Sequence, residues 1–290
     1  METVIEQEEI IDEKNIPVES EDSEFSIDNE GNIRIKKFSQ YIAFAEQLPK
    51  EFNISRGQSG RYLLVPSALR KDSRNNLKYS RSTAFDLLNQ FKMNSHFYMD
   101  KPWDIKNDYE WMIHAQHYGI PTRLLDFSRS HIIALMFAVE KAFDEEESNE
   151  KKDGEVWFLN SNKLNDIHCR RREILNLSEE NSSLDSHNGP IVVQGRKANV
   201  RVNAQNGLFL YFQDSDKGLI DSIEDNLPAE LQLEDVIRKV IIDKDSKKDI
   251  LVALFSMGFG FTQIYPELNS VSKDILLLEK INEYKKSIRD

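Results

Sequence analysis

The apolar positions of this chain repeat with two different periods, and the order in which the periods follow one another predicts a mixed fold. Spacing of about 3.6 residues marks helices over residues 39–48, 83–92, 108–118, 247–257 and 270–288. Runs rich in β-branched and aromatic residues mark strands over 33–38, 52–54, 62–65, 155–159, 191–193, 208–212 and 236–242. The strongest strand signal is Glu155-Val156-Trp157-Phe158-Leu159, set off by Gly154 after a charged stretch. Residues 176–190 are polar, rich in Ser and Asn, and read as a mobile loop. No internal repeat is visible, and strands and helices do not alternate as regular βαβ units. The pattern therefore implies an α+β architecture rather than a doubly wound sheet.

The densest chemistry lies between the helix at 108–118 and an apolar stretch at 132–139. Gln116-His117-Tyr118-Gly119-Ile120-Pro121-Thr122-Arg123-Leu124-Leu125-Asp126-Phe127-Ser128 reads as a polar turn between two helices. Gly119 ends the first, because glycine enters the left-handed C-terminal position without a Cβ penalty, and Pro121 prevents resumption. The second, with Ser128 or Ser130 as N-cap, is apolar nearly all round and is expected in the interior. A polar turn running into the N-terminus of a buried helix is held in place by the core, and the free N–H groups there favour an anion.

The chain has 290 residues, 39% of them hydrophobic, enough for a large core. No apolar run approaches the roughly 18 residues of a membrane span, and no basic-then-apolar leader is seen, which points to a soluble, cytoplasmic protein without a membrane role. Charge is uneven. Residues 1–30 hold twelve acidic residues and one lysine, a charge of -11, and leave -1 of the net -12 to the rest. This segment has few large apolar groups and is expected to be a disordered acidic tail ahead of one domain over residues 31–290. It either solubilises the protein or mimics nucleic acid and covers a basic groove. A nearly neutral body exerts no global pull on phosphate backbones, although Arg56, Arg61, Arg70, Lys71 and Arg74 form a local patch. The single cysteine, Cys169, excludes an intramolecular disulfide and a cysteine-rich zinc site, and a structural thiol is its default role.

Arg56-Gly57-Gln58 is the first candidate ligand site, expected in a turn after a short strand. Gly57 would let the backbone approach a ligand, and a fixed Arg56 guanidinium can grip a phosphate or carboxylate. The other reading is a buried Arg56 paired with an acid such as Asp126. Asp126 likewise either pairs with Arg56 or Arg123 to fix the turn, or faces a ligand together with Thr122, Arg123 and Ser128. His114 and His117 share a helix face, yet further ligands at matching spacing are missing, so no metal is expected. His117 suits an acid or base near neutral pH, or equally a hydrogen-bonded core histidine. Tyr118 either stacks on a ligand ring or packs. No GxSxG, P-loop or GxGxxG pattern occurs.

Arg56-Gly57-Gln58, followed by Leu64, Pro66, Ser67, Leu69 and Arg70, then the 116–128 segment and Ala134-Leu135-Met136-Phe137-Ala138, resembles the FRG domain family. Ser55 stands where the family's name-giving motif has Phe. Ala204-Gln205-Asn206-Gly207-Leu208-Phe209 and Tyr265-Pro266-Glu267-Leu268 look like its later blocks, so the resemblance spans residues 53–274. It implies a single mixed α/β FRG domain of a bacterial or phage-associated protein, with toxin or anti-phage defence roles. The motifs also resemble those of ADP-ribosyltransferases, in which an early-strand Arg holds NAD, a Ser/Thr strand precedes an Ala-rich helix, and a late-strand Glu stabilises the transferred ribose. That likeness implies NAD as substrate and no metal. Arg56, Gly57 and Gln58 would hold the pyrophosphate, His117, Tyr118, Thr122, Arg123, Asp126 and Ser128 would enclose the nicotinamide ribose, and Gln205 or Glu267 would stand at the transferred bond. A protein or RNA acceptor and an antitoxin or regulatory partner are then expected. Gln205 at the acid's place departs from the pattern, since an amide orients a hydroxyl but is no base near neutral pH. The alternative is a non-catalytic module binding a nucleotide, nucleic acid or partner protein.

Overall fold

A computed structural model describes residues 25–28, 30–144, 152–179, 183–196, 200–215 and 217–288. Among these, nine strands make one sheet: β1 (Ser26–Ile27), β2 (Ile33–Ile35), β3 (Ile54–Gln58), β4 (Leu124–Ser128), β5 (Gly154–Leu159), β6 (Leu175–Asn176), β7 (Ile191–Gln194), β8 (Gly207–Tyr211) and β9 (Ile237–Ile242). Their order is β1-β2-β9-β5-β3-β4-β8-β7-β6. β2 runs parallel to β9 and β6 to β7, and the other neighbours are antiparallel. The helices are α1 (Phe38–Gln47), α2 (Arg81–Ser95), α3 (Asp108–His117), α4 (His131–Val139), α5 (Ser161–Cys169), α6 (Val200–Ala204), α7 (Leu219–Asn226), α8 (Lys247–Ser256), α9 (Phe261–Ile264) and α10 (Leu268–Ser287). This is the mixed α/β content that the two hydrophobic periods imply.

Period-two alternation in the central strands divides the core between the two faces of the sheet. Val156 and Phe158 of β5 and Val240 and Ile242 of β9 pack with Phe44 of α1, Ala134 and Ala138 of α4, Leu251 of α8 and Leu277 of α10. Ile54, Leu159, Leu125, Leu208 and Leu210 point the other way, onto Leu164 of α5 and Leu219 and Ile223 of α7. A third cluster joins Leu124, Phe209 and Tyr211 to Ile113 of α3, Leu177 and Leu184.

The position of α4 against β3 governs everything near the candidate residues. Ser130 caps α4, accepting from the Ile133 amide at 3.4 Å, and the helix buries most of its length. A Cβ on Gly57 would stand 1.7 Å from the Ala134 carbonyl oxygen and 3.0 Å from the Ala138 nitrogen. Gly57 is therefore required by the approach of helix to strand, which corrects the expectation that it makes room for a ligand. Other local expectations also shift. Arg56 and Gly57 lie within β3 rather than in a turn after it, residues 62–65 form no strand, and the polar turn at 122–128 is largely β4. The loop over 176–190 is anchored where described, with Leu177 and Leu184 fully buried. Residues 1–24 of the expected tail lie outside the described residues, while Ser26–Ile27, its last part, pairs with β2.

Opposite charges lock the edge of the sheet. Arg34 of β2 reaches Asp153 at 2.8 Å and Asp243 at 2.7 Å. Burial alone would push the Asp153 carboxyl up, but hydrogen bonds from Arg34 and the Lys244 amide outweigh it and hold the carboxyl below its ordinary range.

Two predictions follow from these contacts. Gly57→Ala forces backbone apart at a site with no room and is expected to destabilise the protein by about 3 kcal/mol, read as a lower urea midpoint. Because the folded Asp153 titrates below its unfolded counterpart, its contribution is complete above about pH 4 and is lost as pH falls through the folded value. Arg34→Ala should thus cost about 2 kcal/mol at neutral pH and leave a shallower stability decline under acid, measured by denaturation across pH.

Candidate functional site

The sheet opens between β3 and β4. β3 matches β5 from Ile54 to Gln58 and β4 matches β8 along its whole length, yet β3 and β4 pair only at Ser55–Ser128. Past that pair a cleft of about 980 Å³ takes the place of the ladder, with Arg56 and Gln58 on one side and Asp126 and Phe127 on the other. Arg56 reaches across it. Its Nη1 donates to the Asp126 carbonyl oxygen at 2.7 Å and stands 4.0 Å from the Asp126 carboxylate, while its Nε is buried without a hydrogen-bond partner. Burial pushes the guanidinium below its ordinary value, with Asp126 opposing the shift and Arg70 adding to it. A buried guanidinium with an unsatisfied donor is costly, and an oxyanion would relieve it through charge-assisted hydrogen bonds.

The residues around Asp126 divide into holders and liners. Thr122 is buried, and its hydroxyl donates to Gln116 Oε1 while accepting from the Leu124 amide at 3.3 Å. Gln116 Nε2 in turn donates to Asp126 Oδ1 at 2.8 Å. Thr122 therefore sets Gln116, and Gln116 sets the carboxylate beside Arg56. Ser128 donates to the Gln205 carbonyl oxygen at 2.7 Å and accepts from the Ser130 amide at 2.9 Å, tying the mouth of the fork to the start of α4. Gln58 donates to the Tyr62 carbonyl oxygen at 2.9 Å.

Arg123 lies apart from this group. Its guanidinium grips Asp185 at 2.6 and 3.3 Å and covers the Tyr211 ring, whose hydroxyl also donates to Asp185. Its partner is Asp185 rather than Asp126, and it does not line the cleft, which corrects the reading of Arg123 as facing a ligand or Asp126. Gln205 does line the cleft, but from the turn between α6 and β8 rather than from a strand, and its Nε2 donates to the Ile264 carbonyl oxygen at 3.0 Å.

His117 lines the cleft and also an adjoining cavity of about 550 Å³, where Glu267 and Tyr118 are found. Glu267 stands at the N-cap position of α10 without making a side-chain cap, 3.9 Å from His117 Nε2. Burial and then Arg201 push the His117 pKa down, and Glu267 opposes them, so the neutral imidazole dominates near pH 7. Tyr118 is 68% exposed and sets its ring against His117 and Phe91.

Two liners had no place among the candidates read from the sequence. Gln116 is one, and its only signal was its position at the head of the polar segment. The other is Glu140, which ends α4 and receives a hydrogen bond from the Tyr265 hydroxyl at 3.1 Å. Burial pushes its carboxyl up to about 7, against the opposing pull of Tyr265, Lys141 and Lys273. A lone acid closing an otherwise apolar helix was its signal. Arg70, Lys71, Lys78 and Arg201 complete a cleft lining richer in cations than the acidic chain as a whole. Among the described residues, no group of three or more His, Cys, Asp and Glu side chains could hold a metal ion, and no helix is long and apolar enough to cross a membrane. Cys169 donates to the Asn165 carbonyl oxygen at 3.1 Å, and burial pushes its thiol up, the opposite of what a nucleophile needs.

Residues 52–147 match the family model of the FRG domain. The match contains β3, β4, α4 and Glu140, and leaves Gln205 and Glu267 outside. No curated protein and no solved structure matches the chain significantly. The strand fork, the arginine that crosses it and the helix seated on Gly57 all fall within the span that matches the FRG domain, while Arg201, Gln205 and Tyr265 of the cleft lie beyond it.

Proposed function

We propose that the cleft binds NAD and that the protein transfers ADP-ribose from it to a protein or RNA acceptor. The observation that carries this reading is the Arg56 guanidinium, buried at a fork in the sheet with an orphaned Nε and only a distant carboxylate. A pyrophosphate would supply the missing acceptors, and the Arg70, Lys71 and Lys78 side of the cleft suits its charge. Gln116 and Asp126 line the cleft and would meet ribose hydroxyls, and His117 lines both the cleft and the adjoining cavity, where Tyr118 and Glu267 would meet the acceptor. An FRG protein with this activity fits a toxin or anti-phage defence role in the cytoplasm, restrained by an antitoxin or regulatory partner. Gln205 favours a second reading, a nucleotide-binding module without turnover, because it offers a neutral amide already tethered to Ile264.

Saturating NAD should raise the melting temperature of the wild-type protein by roughly 5 °C. Arg56→Ala is expected to keep its fold and lose that rise, whereas Arg123→Ala should melt earlier and keep it. A normal NAD response in Arg56→Ala would remove the basis of the reading. Transfer of label from NAD to protein and RNA separates enzyme from binding module, since the module would show the thermal response alone. Gln205→Glu sets a carboxylate against the Ile264 carbonyl and should cost about 1–2 kcal/mol of stability in a denaturant titration.

A further inference from the structure

Glu140 occupies a position that does little for the fold. It closes α4 at the end where the helix dipole disfavours negative charge, and it is half-buried. The Tyr265 hydroxyl donates a hydrogen bond to it at 3.1 Å. Around it stand Lys141 on the same chain segment, Lys273 from α10, Asp144, and Tyr265, whose ring lies under Arg201 at 4.3 Å. The two nearby lysines do not compensate for burial, which leaves the carboxyl titrating at about 7. The same cleft contains Arg56, and a single packing contact sets the two groups relative to each other. Arg56 neighbours Gly57, and the absent Cβ of Gly57 is what lets the helix ending in Glu140 lie on β3.

We infer that Glu140 is the proton-transfer residue of the Arg56 cleft, receiving the proton that an acceptor nucleophile releases as it bonds to the ribose of NAD. The inference rests on the NAD reading. In the step, the bond between ribose C1′ and the nicotinamide nitrogen breaks, and both its electrons leave with the ring. A lone pair of the acceptor hydroxyl or amine forms the new bond to C1′, and the acceptor's proton passes to a Glu140 carboxylate oxygen. A carboxyl of raised pKa suits this task, because it is substantially ionised near neutral pH yet basic enough to hold the proton. Gln205, on the same cleft, has no such capacity.

The wild-type protein and Glu140→Gln are compared for the NAD-induced thermal rise and for transfer of label from NAD across pH. Glu140→Gln is expected to keep the thermal rise, to lose about 10²-fold or more in transfer, and to lose a wild-type rate limb near pH 7; Glu140→Asp should restore part of the rate. Wild-type transfer and an unchanged pH limb in Glu140→Gln would overturn the assignment, as would loss of the thermal rise together with transfer, which marks a binding or structural role. Absence of both responses in the wild type overturns the NAD reading and the transfer step with it. The proton-exchange capacity is then judged alone from the carboxylic-acid infrared band missing in Glu140→Gln, and a Glu140 already fully ionised at about pH 6 would refute that too.

Discussion

One residue pair, Ser55–Ser128, joins the two halves of the sheet and marks where they part. Both side chains reinforce the join. Ser55 Oγ lies 2.8 Å from His131 Nδ1 at the start of α4, and Ser128 donates to the turn before β8. A ladder that stopped here in open solvent would expose backbone groups to water. In this protein the Arg56 side chain crosses to the Asp126 carbonyl oxygen instead, so a long cationic group replaces part of the missing ladder. The cleft, its polarity and its unsatisfied donor all derive from that substitution.

The chain contains two arginines close to Asp126 in sequence or space, and their surroundings assign them opposite roles. Arg123 has a bidentate carboxylate, an aromatic face and no unmet donor, which is how a structural arginine is stabilised. Arg56 has one backbone acceptor, a carboxylate at 4.0 Å and a buried free Nε. Glu140 repeats the theme with the opposite sign, a half-buried carboxyl that accepts from a tyrosine hydroxyl. Incompletely compensated polar groups cost stability, and the apolar clusters on both faces of the sheet are large enough to bear it. That two such groups share one cleft is the physical ground for proposing a function for it.

Much of this was legible in the amino-acid order. The β-branched and aromatic run in residues 155–159, a serine cap before α4, the stop at Gly119 with its φ of 85° and the apolar faces of the long helices are local properties, set by sterics and solvent within a few residues. The Arg-Gly-Gln block and the 116–128 segment likewise showed where chemistry concentrates. What pairing does over long range was not legible. Leu124-Leu125-Asp126-Phe127-Ser128 buries residues on both faces, so it lacks the alternation of a strand until β8 is beside it. Gly57 looked like a ligand-facing glycine because only the packed helix reveals the 1.7 Å conflict. Asp185, 62 residues from Arg123, claimed that arginine, and Glu140 became a cleft carboxyl only when α4 settled on β3. Sequence by itself determined most of the helices and strands and the neighbourhood of the candidate cleft, because those depend on short-range preferences. Tertiary structure alone decided which charged groups are paired and which are left facing the cleft, because burial and charge pairing depend on residues far apart in the chain.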